Sequence, residues 1–462
     1  MKTTFLTFLF TVTLSFVFLN TLYAQKQFLK GCDVSFVQSV ERAGGVFKLN
    51  GDIKDPFYIY ANSGVNTARI RIWHSPASAV GSLQETLLLA QRAKSKGMKI
   101  FLDIHYSDSW ADPAHQTPPK AWQSLSFSDL KDSVASYTKQ VLQALKAINC
   151  FPEIIQIGNE VTCGMLWNYG RICDGENSPQ QWKQFGELLD TAIVVYRNEA
   201  PNKDSANVVI HIDRGGDPAG AVWFFENLKK QNVDFDIIGL SYYPWWHGNL
   251  NSLQRTLDTL VQLFPQEILI AETAYPFSLN WCDNTGNIVG LQSQLLPGYP
   301  ATPEGQVNFL QKVSSISASL PSNRGIGVIY WAPDWICATG TETAWENLAL
   351  FDFQGNALKG LTQWNTQTSI EEVENALGTK IGFYPNPFFE STTLLLPANL
   401  QGKILLTLYS LTGEKMIELQ NELNNISGNA VTINGSQLSS GVYFVSVLLN
   451  NQFLGSYKII KL

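Results

Sequence analysis

Two glutamates end apolar runs in this chain: Glu160 closes IIQIGNE (154–160) and Glu272 closes ILIAE (268–272). Paired carboxyl groups are what cleavage of a glycosidic bond requires. One carboxylic acid protonates the leaving oxygen, and one carboxylate attacks the sugar carbon or activates water. A retaining enzyme holds them roughly 5–5.5 Å apart and an inverting one farther. Neighbouring side chains fit the same chemistry. Asn159, beside the acid, can hold a sugar hydroxyl, and Tyr242 or Tyr243 could donate to Glu272 and keep it ionised. Arg69, Arg71 and Trp73 alternate along one run and so share one side. Pointing inward, an arginine would lower the pKa of Glu272, while Glu160 in drier surroundings would keep its proton. The plainer alternatives are a helix cap for Asn159 or Glu160 and internal ion pairs for the arginines.

These residues need elements that bring them to one place. From Gln25 to about Asn365 the chain repeats a short β-rich run, a polar loop and a longer helical stretch. The expected strands are Phe28–Asp33, Thr67–Ile72, Lys99–His105, Ile154–Asn159, Val208–Ile212, Ile237–Ser241, Ile268–Glu272 and Gly327–Trp331. Helical periodicity lies between them, as in Leu83–Lys96 and Phe127–Ile148. Eight such units predict an α/β fold, a (β/α)8 TIM barrel. A doubly wound open sheet is the rival, but no strand is followed by a glycine-rich phosphate loop. Polar residues gather at the strand ends: Asp33, Arg71, His105 with Asp108, Asn159-Glu160, His211 with Asp213, Tyr242-Tyr243, Glu272 and Trp331. In a barrel all these ends meet on the face that carries chemistry, and strands four and seven lie across its mouth.

The net charge of −7, with no long basic run, speaks against nucleic acid as a partner. Thirteen tryptophans and sixteen tyrosines suit flat, weakly polar ligands such as sugar rings. Met1-Lys2, the apolar run Phe5 to Leu19 and a small Ala24 read as a secretory signal peptide over 1–24. No later run is long enough to span a membrane, so no transmembrane segment is expected in the mature chain. Export permits disulfides among Cys32, Cys150, Cys163, Cys173, Cys282 and Cys337. The catalytic region is expected over 25–365 and an acidic linker over 366–380. Over 381–462 follow short alternating strands, Lys403–Tyr409, Ala430–Ile433, Val442–Leu449 and Gly455–Leu462, which predict a small all-β sandwich.

Longer motifs carry a resemblance. GCDVS (31–35), ARIRIW (68–73), LDIHYSDSWADPAHQ (102–116), IQIGNE with GMLW (155–160 and 164–167), IGLSYYPWW (238–246), IAETAYP (270–276) and VIYWAPDW (328–335) resemble the endo-β-1,4-galactanases, family 53 of the retaining glycosidases. The resemblance implies that Glu160 is the general acid/base and Glu272 the nucleophile. It implies a cleft for β-1,4-galactan, the side chain of type I arabinogalactan in pectin. Arg69, Arg71, His105, Asp108, Trp110, Asn159, His211, Tyr242, Tyr243 and Trp331 are the expected substrate-binding set, with Trp110 or Trp122 as core the alternative. The family's GADVS alanine is Cys32 here, and its WEPAW reads Trp331-Ala332-Pro333-Asp334-Trp335. No cofactor is expected. Some bacterial relatives bind calcium between the loops after strands seven and eight, where this chain offers only Asp283, Asn284 and Asn287, a thin oxygen set in which Asp283 and Asn287 are the weak candidates. Cys282 and Cys337 lie in those same loops and are expected to form a disulfide that does the calcium's work. Cys163 with Cys173 is the second expected bridge.

FYPNPF (383–388), LYSLTGEKM (408–416), LSSGVYFVSV (438–447) and KIIKL (458–462) resemble the C-terminal sorting domain of the type IX secretion system. That implies passage through the periplasm and outer membrane to the medium or the cell surface, with the type IX secretion machinery and the galactan as partners. The competing functions are a related β-glycanase acting on mannan or cellulose and a surface glycan-binding protein without catalysis.

Overall fold

The computed structural model describes residues 27–364, apart from 174, 176, 203–205, 339 and 341, and residues 382–461, apart from 385, 387, 397–400, 411–413, 424–429 and 451. The expected signal peptide and linker lie outside the described residues.

Eight parallel strands close a barrel in chain order: β1 Leu29–Asp33, β2 Thr67–Ile72, β3 Lys99–Ile104, β4 Ile154–Ile157, β5 Asn207–Ile212, β6 Ile237–Tyr242, β7 Glu267–Thr273 and β8 Gly325–Tyr330. Every neighbouring pair is parallel, with β1 joined to both β2 and β8. The expected ends at His105, Asn159 and Trp331 fall just beyond the strands, because hydrogen-bonded pairing stops where the side chains begin to serve the mouth.

Helices cover the outside: α1 Pro56–Asn62, α2 Leu83–Ser95, α3 Phe127–Ala147, α4 Pro179–Glu199, α5 Pro218–Lys229, α6 Leu250–Leu263 and α7 Pro303–Ala318, with one short turn at Lys359–Thr362. Their starts are written in the sequence. Ser82 and Ser126 accept from the amides of Glu85 and Asp129. Ser178 and Gln181 form a reciprocal capping box, with Pro179 at the first helical position.

Strand alternation sorts side chains into two layers. Outward residues such as Ala68, Ile70, Ile72, Ile155 and Ile157 join the core beneath the helices. Inward, Leu29, Phe101, Ile154, Val209, Ile237, Leu269 and Ile326 fill the lower barrel with apolar atoms. Above that floor the interior turns polar, with Asp33, Arg69, Asp103, Gln156, His211 and Ser241 all buried.

One irregularity governs the mouth. The β6–β7 register runs Leu240 to Ile270 and then skips to Ser241 opposite Glu272. Strict alternation after Leu269 would put Ala271 inward and Glu272 among the helices. The bulge turns the carboxylate into the barrel instead.

Among the described residues the C-terminal part holds seven strands. Gly382–Tyr384, Ser391–Leu395 and Ala430–Asn434 form one antiparallel sheet; Gly402–Ser410, Lys415–Leu423, Gly441–Leu449 and Gln452–Lys461 form the other. Leu394 and Ile433 from the first sheet share one cluster with Leu406, Val445, Val447 and Ile459 from the second. Three of these strands were not expected from the sequence. Lys415–Leu423 (KMIELQNEL) is an edge strand exposed along most of its length, and its apolar period of Ile417, Leu419 and Leu423 is interrupted by Asn421.

Candidate active site

At the mouth of the barrel a cavity of about 340 Å³ is lined by both glutamates and by residues from most of the strand ends. Its floor is organised by Arg69, which is 1% exposed. Nη1 donates to Asp33 at 2.9 Å and lies 2.9 Å from Glu272 Oε1. Nη2 reaches Asp103 at 2.9 Å, Gln156 Oε1 at 3.2 Å and Asn159 Oδ1 at 3.0 Å. Burial alone would pull its pKa down, but Asp103, Glu272 and Asp33 reverse that and hold the guanidinium charged. The ion-pair alternative and the site role therefore describe the same residue.

Asn159 is oriented without ambiguity. Its Oδ1 faces donors from Arg69 and Gln156, while its Nδ2 donates to the carbonyl of Ala111 at 2.8 Å. A flipped amide would set donors against donors. His105 Nδ1 accepts from Trp73 and the Ala111 amide, so its Nε2 carries the hydrogen and donates to Asp103 at 3.0 Å. Burial lowers its pKa, and the ring is neutral.

Glu272 is 5% exposed and accepts from the Tyr243 hydroxyl at 2.9 Å. Loss of water raises its carboxyl; Arg69 and then Tyr243 pull it back, leaving it at about 7. Arg69 lowers the Glu272 pKa as expected, but burial outweighs the guanidinium. Glu160 is raised well above the ordinary carboxyl range, first by burial and then by Glu272 and Asp213, with Ser241 and Arg69 opposing. Ser241 Oγ lies 2.6 Å from its Oε1.

The loops that leave the strands here do so through left-handed backbone. Glu160 has φ 45° and ψ 53°, and Tyr106 and Ala332, each two residues past a strand, have φ 52° and 50°. Gly158 has φ 74°, and a Cβ there would meet Val161 at 2.6 Å. This is the physical reason for the glycine in IQIGNE.

Aromatic rings wall the cavity. The Arg71 guanidinium lies 4.9, 4.5 and 4.2 Å from the ring centres of Phe36, Trp73 and Trp110, and none of its three nitrogens has a hydrogen-bond partner among the described residues. Trp331 packs on Trp345, and Trp335 stacks on Phe36 at 4.0 Å. Trp246, 57% exposed, stands at the rim.

Nine of the expected residues line the cavity: Glu160, Glu272, Asn159, Arg69, Arg71, His105, Trp110, Tyr243 and Trp331. Three of the expected substrate-binding residues are placed elsewhere. Tyr242 follows the inward Ser241 and so faces outward, packing on Phe309 and donating to the Gly248 carbonyl at 2.9 Å. Asp108 accepts from the amides of Ser75 and Lys120 and fastens two loops together. His211 is wholly buried beneath the cavity, between Asn159 and Ser241. Trp122 is core, against His74 and Tyr137. The carboxylate gained at Asp334 is also buried, bonded to the Tyr60 hydroxyl at 2.9 Å, and makes no wall of the site. Sequence reasoning passed over Asp103, Asp112, Trp246, Trp335 and Trp345. Asp103 carries a signal, since it shares the inward side with His105; the loop tryptophans carry none.

Cys163–Cys173 and Cys282–Cys337 are bonded, with Cα atoms 5.0 and 6.4 Å apart, and Cys32 and Cys150 are buried thiols. Of the calcium candidates, Asp283 accepts from the amides of Thr285 and Thr343 with its two oxygens, and Asn287 donates to the Asn280 carbonyl through its amide nitrogen while its buried Oδ1 has no hydrogen-bond partner among the described residues. No three His, Cys, Asp or Glu side chains assemble as a metal site among the described residues.

Residues 29–364 match the sequence profile of glycosyl hydrolase family 53, and residues 382–461 that of a secretion system C-terminal sorting domain. An uncharacterized protein of Niallia circulans is 38% identical over 74% of this chain and 98% of its own. An arabinogalactan endo-β-1,4-galactanase of Cellvibrio japonicus is 33% identical over 70% of this chain and 86% of its own. Among solved structures, the family 53 catalytic domain of Ignisphaera aggregans superposes with a TM-score of 0.69 at 33% identity, over 74% of this chain and 96% of that one.

Proposed function

The chain belongs to glycosyl hydrolase family 53, and from that premise we propose that it is a secreted endo-β-1,4-galactanase that cuts (arabino)galactan side chains of pectin with net retention. Glu160 protonates the leaving glycosidic oxygen while Glu272 attacks the sugar carbon and forms a galactosyl ester. Glu160, now a carboxylate, then takes a proton from the water that releases the sugar. The observation that carries this reading is the Arg69 hub. One guanidinium holds Glu272 with one arm and Asn159 with the other, fixing the two strand ends so that both carboxyls face one cavity. Tyr243 steadies the carboxylate of Glu272 for attack.

The unpartnered donors of Arg71 and the faces of Trp110, Trp331 and Trp335 suit a neutral sugar chain, rings against rings and hydroxyls toward the guanidinium. No step of this mechanism uses a metal or a cofactor. The sorting domain takes the protein by type IX secretion to the cell surface or the medium. No helix among the described residues is long and apolar enough to cross a membrane. The catalytic region over 25–365, with a sorting domain over 381–462 joined by a linker, completes the proposal.

The test is hydrolysis of galactan by the mature wild-type chain beside Glu272→Ala, with and without azide as substitute nucleophile. Galacto-oligosaccharides from wild type and a galactosyl azide of inverted configuration from the otherwise inactive variant are expected. Mannan or cellulose cleaved in place of galactan would overturn the substrate, and a substrate left whole by wild type would favour a binding protein.

A further inference from the structure

We propose that Ser241 and His211 are positioning residues for the acid: the Ser241 hydroxyl gives its hydrogen to His211 while Glu160 is protonated, and swings it to the Glu160 carboxylate once that proton has left. The inference rests on Glu160 being the acid, as proposed above.

The argument follows hydrogens along a chain of four buried groups. Asn159 Oδ1 can only accept, because its amide nitrogen is committed to the Ala111 carbonyl and Arg69 and Gln156 point donors at the oxygen. His211 Nδ1, 3.1 Å from that oxygen, must therefore carry a hydrogen and donate. The ring is neutral, its pKa held well below the usual value first by burial and then by Arg69. Its Nε2 is then a bare lone pair, and the atom 2.9 Å from it is Ser241 Oγ. A serine has one hydrogen. Spent on His211, it leaves the oxygen able only to accept from Glu160 Oε1, 2.6 Å away. The chain is complete when the hydrogen between them belongs to Glu160. The fixed amide of Asn159 thus favours, three hydrogen bonds away, the protonated form of Glu160.

During bond cleavage the Glu160 proton passes to the glycosidic oxygen as the sugar–oxygen bond breaks, and the bonding pair leaves with that oxygen. Ser241 then rotates its hydrogen to the new carboxylate, leaving His211 Nε2 without a donor. Deprotonation of water by Glu160 in the second step restores the first arrangement. The other groups facing Glu160 are Glu272 from β7 and Asp213 beyond β5, which oppose its ionisation, and Arg69 from β2, which favours it. Asp213 and Arg69 act in both arrangements; Glu272, an uncharged ester once Glu160 has given up its proton, opposes ionisation only in the first.

The experiment is a double-mutant cycle on the full mature chain, read as the alkaline limb of kcat/KM against pH on galactan. His211→Phe removes the acceptor and frees Ser241 to serve the carboxylate only, so the limb is expected to fall by about one pH unit, the scale of one hydrogen bond. In a Ser241→Ala background the same His211 change is expected to leave the limb in place. His211→Leu, which also lacks the acceptor, serves if the Phe variant does not fold. A limb unmoved or raised by His211→Phe, or moved equally in both backgrounds, would overturn the proposal. Galactan hydrolysis retained by Glu160→Gln would overturn the assignment of the acid itself, and this inference with it, whatever the Ser241 variants show.

Discussion

Replacing Glu272 with Gln is expected to make the folded chain more stable at neutral and alkaline pH while abolishing turnover. The carboxyl titrates at about 7 in the folded protein against an ordinary 4.5. Between those values the unfolded chain has released the proton that the folded chain retains, so stability is greatest below about 4.5 and declines as pH rises through about 7. At 1.36 kcal/mol per unit, the ionised Glu272 lowers stability by about 3 kcal/mol above that range. Glutamine keeps the shape without titrating, and Arg69 keeps Asp33 and Asp103 as partners. The change also removes the charge that raises Glu160, an effect of the same sign. Urea unfolding of both chains, followed by tryptophan fluorescence at pH 4.5, 6, 7.5 and 9, reads the difference directly. The advantage of the variant should grow by about 3 kcal/mol across the series. A difference flat within about 1 kcal/mol, or shrinking with pH, would refute the claim that burial outweighs Arg69.

Arg69→Met strands three buried carboxylates together and is expected to destabilise the fold by about 3–5 kcal/mol, seen as a lowered urea midpoint, with galactanase activity lost. Tyr243→Phe removes the hydroxyl that lowers the Glu272 pKa; the acid limb of kcat/KM should move to higher pH and kcat fall about tenfold, whereas an acid limb that stays in place would show the bond to be idle. Replacing both Cys282 and Cys337 by Ser opens a tie spanning 55 residues and should cost about 2–4 kcal/mol in the same unfolding assay.

The barrel was legible because strands buried on both faces read as unbroken β-branched runs, and the charges that interrupt them can only sit where one end opens to solvent. The register was less so. Nothing in ILIAET says that Ala271 is an extra residue, yet without that bulge Glu272 would fall opposite Tyr242 and point to the helices. Tyr242 and Tyr243 look alike in sequence, and only the place where β6 stops pairing decides which one meets Glu272. His211 was singled out for its strand-end position, but its register places it one layer down, where it touches the acid only through Ser241. Asp108 looked like a sugar ligand and is a loop clamp, because two backbone amides converge on it from segments far apart in the chain. Trp335 and Trp345 stand in the loop that follows β8, where no periodicity marks a side chain as facing the cleft.

The left-handed residues after β3, β4 and β8 bear on any attempt to make this protein last longer in hot mash or soil. A non-glycine residue in that conformation forfeits about 1–2 kcal/mol, so directed evolution scored only on heat survival will be drawn to these places. At Ala332 the trade is nearly free, one buried methyl against relief of the backbone. At Tyr106 it would empty the space of a buried ring bonded to Thr138. At Glu160 the same relief deletes the carboxyl proposed as the acid. A library ranked by residual fold would therefore enrich dead enzyme, and counter-selection on galactan-grown colonies is needed from the first round.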